Sequence, residues 1–329
     1  MGKTALVHQA LNLINEEKKY RGFYVNLNNT LNEEDFLIRL AEKTLGLREG
    51  DQLKLMRELA NWFTHLRPFI RHDTFLASPS ISFHLERGYQ AETTLEQFFN
   101  FLEKSDSRIV IALDDFQQVL SYRDGALEPL LRSFASKCAN VSLIFCFEKC
   151  LHTSRLLNPG QDQGDFYSSL PRVPVESIPN EVFVEYISRQ FSGDRRKLSS
   201  DLPDHILEWC RYRTGYVQFV CNRLFQTGVR QPDDWFLERL FQQVLDEWEG
   251  VFYNYRTLLA SNQWILLRGI ARERGARQVM GTEFIRKNNL GTPSSVQTAL
   301  LALQEKRLVY DEDGRWYVAD VFLSRWLER

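Results

Sequence analysis

The segment Arg108–Gln118, RIVIALDDFQQ, constrains the fold more than any other stretch of this chain. An unbroken apolar run, Ile109 to Leu113, gives way to two adjacent carboxylates, Asp114 and Asp115. A strand that is apolar at every position suits burial on both faces, inside a parallel sheet covered by helices. Two acids at its end put negative charge on the carboxyl edge of the sheet, where open α/β sheets bind their ligands. The same pair also reads as an acidic helix start, because Asp is a favoured N-cap.

Composition narrows the class. At 329 residues the chain has room for two or three domains, at roughly 100–200 residues each. Its 43% hydrophobic and 26% charged residues are those of a globular protein. A net charge of −2 gives the whole chain no bias toward nucleic acid or anionic membrane, so any basic surface must be local. No apolar stretch reaches the about 20 residues of a membrane helix, and the opening MGKTALVHQA lacks the apolar core of a signal peptide. The 5 cysteines (Cys138, Cys146, Cys150, Cys210, Cys221) lack metal-ligand spacing; Cys146 and Cys150, on or next to an apolar run, read as small buried hydrophobes, which favours a reducing cytoplasm. None of the 6 histidines forms an H-x-x-x-H or H-E-x-x-H pattern, so they read as structural or surface groups.

The chain begins Met1-Gly2-Lys3-Thr4 and continues with Leu6, Val7, Ala10, Leu11 and Ile14 at helical spacing. Lys18, Lys19 and Arg21 gather at the predicted helix end, with Gly22 as its C′ residue. The strand GFYVNLNN follows. This order matches the second half of a P-loop, G-x-x-x-x-G-K-[ST], whose loop opens a helix that leads to a strand. The triplet alone is a weak signal; at a helix start, about a hundred residues ahead of a strand ending in two acids, it is a strong one. The strand and glycine loop that precede it in a full motif, and whose N–H groups cradle phosphates, are not in the sequence. The expectation is therefore a core truncated at its N-terminus within the motif, with a degenerate, nucleotide-free domain as the other reading.

Residues 30–67 read as helical, with Phe36, Leu37, Leu40, Ala41 and Leu45 on one face. The stretch from Pro68 to Thr94 is irregular, with a short strand expected at Ser80–Phe83. A helix runs from Thr94 to Leu102, another over Ala126–Phe134, then a buried strand Val141–Lys149, and Arg172–Ile178 is expected to close the sheet. Strands alternating with helices give a parallel α/β layer. From Asn180 to Gly250 the pattern is helical throughout.

Together, Gly2-Lys3-Thr4, the strand ending Leu113-Asp114-Asp115-Phe116-Gln117, and the downstream ESIPNEVFVEYISRQF and RTGYVQFVCNRLF resemble the archaeal-type P-loop ATPases, relatives of the AAA and STAND groups that are widespread in prokaryotes. The resemblance covers nearly the whole chain. It implies a truncated P-loop ATPase core over 1–178, a helical lid over 179–255 and a winged helix over 256–329. It also implies ATP and Mg²⁺: Gly2 and Lys3 at the phosphates, Thr4 and Asp114 at the metal, and Asp115 activating water. Arg172 is the candidate phosphate-sensing arginine or a surface residue, and Arg211 or Arg213 a lid sensor or part of a packing bundle.

The sequence departs from that family at two further places. Asp115 stands where Glu is usual, which moves the carboxylate by about 1.5 Å, and Glu148-Lys149 follows the strand where a small polar sensor is common.

The C-terminal stretch has the order of a winged helix: helices at Asn262–Arg272, Thr282–Asn288 and Pro293–Lys306, then a hairpin around Asp313-Gly314. Thr292 or Gly291 caps the third helix, with Pro293 at N1. From Arg256 to Arg329 there are 12 basic and 8 acidic side chains, a mild positive excess. DNA is one expected partner, through Arg286, Lys287 and Arg315. The third helix offers a groove only Ser294, Ser295, Gln297 and Thr298, while Leu301 and Ala302 lie off its core stripe. That favours the other expected partner, a protein or the chain's own ATPase core. The functional expectation is a nucleotide-dependent switch, with a non-catalytic scaffold or DNA-binding regulator as the alternative.

Overall fold

A computed structural model describes residues 2–45, 52–72, 79–122, 127–147, 170–193 and 198–329. Glu148-Lys149 and Cys150 lie outside the described residues, as does Ala126. The chain divides into two compact units, Gly2–Val175 and Glu176–Arg329.

In the first unit three parallel strands, β1 (Tyr20–Asn26), β4 (Arg108–Asp114) and β5 (Val141–Phe145), are hydrogen-bonded in the order β1-β4-β5. The register sets Asn26 opposite Asp114 and Leu113 opposite Phe145. Helix α1 (Lys3–Glu16) lies on one face of the sheet, where Val7 and Leu11 pack with Ala112 and Cys146. The other face buries Phe23, Val25, Ile109, Ile111 and Leu113 with residues of α2 (Glu33–Thr44), α4 (Ala91–Glu103) and α5 (Leu127–Lys137). Two-sided burial is why β4 is apolar without a break from Ile109 to Leu113 instead of alternating.

Gly22 does not end a helix. It sits inside β1, where an added Cβ would meet the Leu11 side chain at 2.6 Å, and the Asn15 amide bonds its backbone N–H and C=O at 2.7 and 3.0 Å. The glycine lets α1 pack closely on the strand.

Helix α3 (Gln52–Trp62) is followed by an antiparallel hairpin, β2 (Leu66–His72) and β3 (Pro79–Leu85), longer than the short strand expected. The pairs Leu66–Leu85, Pro68–Phe83 and Ile70–Ile81 share one face, but Phe69, apolar on the opposite face, breaks that alternation in the sequence. Arg172–Ile178 forms no strand. Pro171, Pro174 and Pro179 punctuate this exposed stretch, and a proline inside a strand cannot donate to the ladder.

The second unit comprises α6 (Asn180–Gly193), α7 (Leu202–Trp209), α8 (Thr214–Gln226), α9 (Asp234–Leu258), α10 (Ser261–Arg272), α11 (Thr282–Lys287), α12 (Pro293–Glu305), the hairpin β6 (Val309–Glu312) and β7 (Arg315–Val318), and α13 (Val321–Leu327). Asp313 and Gly314 take positive φ of 53° and 74°, as a two-residue hairpin turn requires. Thr292 caps α12, accepting from the Ser295 N–H.

One core runs through this unit. Phe322 of α13 packs against Trp209, Tyr216 and Phe219, and Trp209 stacks on Phe241 at 4.0 Å. Arginines fasten the same surfaces. Arg325 donates to the carbonyls of Trp209 and Glu208, both at 3.0 Å, and to Glu328 at 2.9 Å. Arg211 donates to the Val318 carbonyl and the Ser324 hydroxyl and lies over the Tyr317 ring; Arg213 donates to the Tyr310 hydroxyl at 2.6 Å. Both arginines read from sequence as lid sensors thus tie the helices to the winged-helix elements.

Arg325→Ala removes the side-chain donor to the Trp209 carbonyl, one of the donors to the Glu208 carbonyl and the ion pair with Glu328, and is expected to destabilise this unit by about 2–3 kcal/mol. Urea unfolding followed by tryptophan fluorescence checks it, because Trp62 alone of the 7 tryptophans lies outside the unit.

Candidate functional site

The carboxyl edge of the parallel sheet brings together residues far apart in sequence. Asp114, at the end of β4, is 3% exposed. A carboxylate so buried needs donors. Its Oδ2 accepts from the Thr4 hydroxyl at 2.6 Å and the Tyr24 hydroxyl at 2.8 Å, and its Oδ1 from the Asp115 N–H at 3.0 Å. Thr4 is on the first turn of α1, whose free N–H groups and dipole favour negative charge. Gly2 precedes that helix with φ 132°, and its carbonyl accepts from the Leu6 N–H.

Lys3 also lies at this edge. Its charge draws the Cys146 thiol toward ionisation, but burial first and then Asp114 push that thiol up to about 11. Cys146 is therefore a neutral thiol that closes the floor of the site; its N–H donates to the Leu113 carbonyl, and its own carbonyl accepts from the Phe116 N–H.

Asp115 leaves the strand in the left-handed region, φ 56° and ψ 38°, and starts the 3-10 turn Phe116–Ser121. Aspartate tolerates this conformation better than most residues. Its Oδ1 accepts from the Gln117 amide at 3.0 Å. Asp114 ends the strand, and Asp115 precedes the 3-10 turn without a side-chain cap bond to it. Arg172 lies on the exposed 171–179 stretch, outside the set of groups bonded to Asp114.

Tyr24 and Asn26 are additions that sequence reading missed. The Asn26 amide donates to the Tyr24 hydroxyl at 3.3 Å, and the His8 ring lies 4.3 Å from the Tyr24 ring. Burial first, then the Asp114 hydrogen bond and charge, raise the phenol to about 12. The available signal was the period-two series Gly22, Tyr24, Asn26, on the face that α1 covers, which grows polar toward the sheet edge.

The donor chemistry fits Mg²⁺. Thr4 and Asp114 offer adjacent hard oxygens beside a helix N-terminus, and Mg²⁺ commonly takes one or two protein ligands with water and phosphate supplying the rest. Among the described residues no cluster of three or more His, Cys, Asp or Glu offers an alternative metal cage.

Tyr24, Tyr122 and Tyr216 are all raised from 10.0 to about 12, chiefly by burial. The fold favours their protonated forms, so this stabilisation is complete below pH 10 and is lost as pH rises from 10 to 12. Phenolate absorbance should show late-titrating tyrosines, one fewer in Tyr24→Phe, and unfolding over that window.

Comparisons with known proteins agree with this architecture. Residues 250–329 match a family described as "Probable winged helix domain". An uncharacterized ATP-binding protein of Methanocaldococcus jannaschii is 24% identical over 225 residues, which is 63% of this chain and 60% of that relative's length. The Walker-type ATPase of Pyrococcus abyssi superposes over 100% of this chain and 88% of its own, with TM-score 0.66 and 14% identity. The ORC2 protein of Aeropyrum pernix, in its nucleotide complexes, covers 99% of this chain and 82% of its own at TM-score 0.52 and 13% identity. The ORC1 protein of the same organism, solved in complex with DNA, covers 99% and 83% at the same TM-score and identity. The fold matches that of these Walker-type ATPase and ORC structures, a parallel sheet with helices followed by a C-terminal winged helix.

Proposed function

We propose that this chain, an archaeal-type P-loop ATPase by fold and by its likeness to an archaeal ATP-binding protein, is a nucleotide-dependent switch that takes ATP with Mg²⁺ at the carboxyl edge of its parallel sheet. The observation that carries this reading is the 2.6 Å hydrogen bond between Thr4 and Asp114, which joins a Gly-Lys-Thr helix start to an acidic strand end 110 residues away. Bound there, Mg²⁺ would neutralise phosphate charge. Lys3 and the backbone after Gly2 contact the phosphates, Thr4 and Asp114 hold the metal, and Asp115 orients the attacking water. Arg172 is the candidate for sensing the terminal phosphate. The helices after Asn180 serve as the lid, and because they share one core with the winged helix, nucleotide state moves both as one piece. Free thiols at Cys138, Cys146, Cys210 and Cys221 accord with a reducing cytoplasm.

Titration of the 329-residue chain with ATP should show binding that is tighter with Mg²⁺ than without it; equal affinity with and without the metal counts against this view. Asp114→Ala should weaken Mg²⁺-dependent binding, whereas Asp115→Asn should keep binding and abolish turnover. Calorimetry and phosphate release separate the two roles; equal loss of binding in both variants sinks the assignment.

A second reading, a regulator acting through the winged helix, is favoured by exposed Arg286 and Arg315 and by the DNA complex of the Aeropyrum relative. Lys287 is held by Glu273 at 2.6 Å, which reduces its availability to phosphate. On α12 the exposed side chains include Ser294, Gln297, Thr298 and Leu301, the last 47% exposed, a face better suited to protein than to reading guanine. DNA docking predicts binding whose salt slope falls by about one unit for each of Arg286→Ala and Arg315→Ala. A protein contact predicts little salt dependence and loss of assembly with Leu301→Asp. Random duplex binding across a salt series decides between them.

A further inference from the structure

We propose that Tyr24 is a positioning residue for the metal site: its hydroxyl fixes the plane of the Asp114 carboxylate so that Thr4 and Asp114 can share one cation. This inference rests on the Mg²⁺ reading of Thr4 and Asp114 given above.

The argument starts from lone pairs. A carboxylate oxygen has about two acceptor directions, and Oδ2 of Asp114 already accepts from both Thr4 and Tyr24. A cation at Oδ2 needs one of these donors to withdraw. The Thr4 hydroxyl can do so without moving, because it rotates its hydrogen away and turns a lone pair toward the metal. Tyr24 has no such freedom of role. Its oxygen accepts from the Asn26 amide at 3.3 Å, its ring lies against His8 at 4.3 Å, and Asn26 is itself held by the Asn28 N–H at 2.8 Å.

Two donors therefore persist when the metal is bound. Tyr24 holds Oδ2 from the β1 side, and the Asp115 N–H holds Oδ1. Together they fix the rotation of the carboxylate about its Cβ–Cγ bond, which neither could do alone. Removing Tyr24's oxygen leaves Oδ2 with Thr4 as its one donor, the same group that must turn over to admit the cation. The carboxylate then loses its orientation at the moment of binding. Outer partners of this kind typically contribute about 10- to 100-fold to metal affinity.

The test measures Mn²⁺ binding to the 329-residue chain by electron paramagnetic resonance at millimolar ADP, together with ADP binding in the absence of metal. Tyr24→Phe should weaken Mn²⁺ binding about tenfold or more and leave metal-free ADP binding unchanged. Tyr122→Phe is the control: it removes a buried phenol of the same unit, bonded to Thr30, and should lower stability without changing Mn²⁺ binding. Unchanged Mn²⁺ binding in Tyr24→Phe overturns the proposal. So does an equal loss in Tyr122→Phe, which would make the effect one of general stability. If the parent chain shows no Mn²⁺ binding with ADP, the metal reading of Thr4 and Asp114 fails, and this inference with it.

Discussion

The burial of one carboxylate organises the first unit. Asp114 is 3% exposed at the end of an apolar strand, a position that costs several kcal/mol unless the charge is matched by donors. Its donors come from the start of α1, from β1 and from the next residue in the chain. Satisfying this charge therefore fixes where α1 begins, how β1 and β4 align at their ends, and how the chain turns after Asp115. The groups that satisfy the carboxylate are also the ones proposed above to hold a cation.

Close packing supports that geometry. Gly22 allows α1 to approach β1 until Leu11 fills the space a side chain would take. Asn15 then bonds both polar groups of the Gly22 backbone, sewing helix to strand one register away from Tyr24. A side chain at position 22 would have to displace the tip of Leu11, which lies 2.6 Å from where its Cβ would sit.

In the second unit, charge is used for fastening. Glu328, with its side chain 10% exposed, gathers Arg274, Arg325 and Arg211, and burial lowers the Arg211 guanidinium from its ordinary value. Arg211 and Arg325 reach between the helical segment and the winged-helix elements, while Arg274 stays within the latter. Sequence places Arg211 and Arg213 beside a helix start, which suits a nucleotide sensor equally well; only the distances to Val318, Ser324 and Tyr310 show what they hold.

The sequence by itself determined what depends on local chemistry and periodicity. The doubly buried strand at Ile109–Leu113, the helix after Gly-Lys-Thr, the α12 cap with Thr292 and Pro293, and the Asp313-Gly314 turn are all written in residue type and spacing. The tertiary structure decided what depends on partners far along the chain. Gly22 read as a helix end because a glycine after basic residues has that local meaning, and only the approach of Leu11 gives it another. Arg172–Ile178 read as the strand that closes the sheet, yet this stretch is exposed and pairs with no strand among the described residues. Thr4 and Asp114 were legible as motif fragments, but Tyr24 was not: a tyrosine in a strand carries no signal of its role until folding sets its hydroxyl 2.8 Å from a carboxylate 90 residues away.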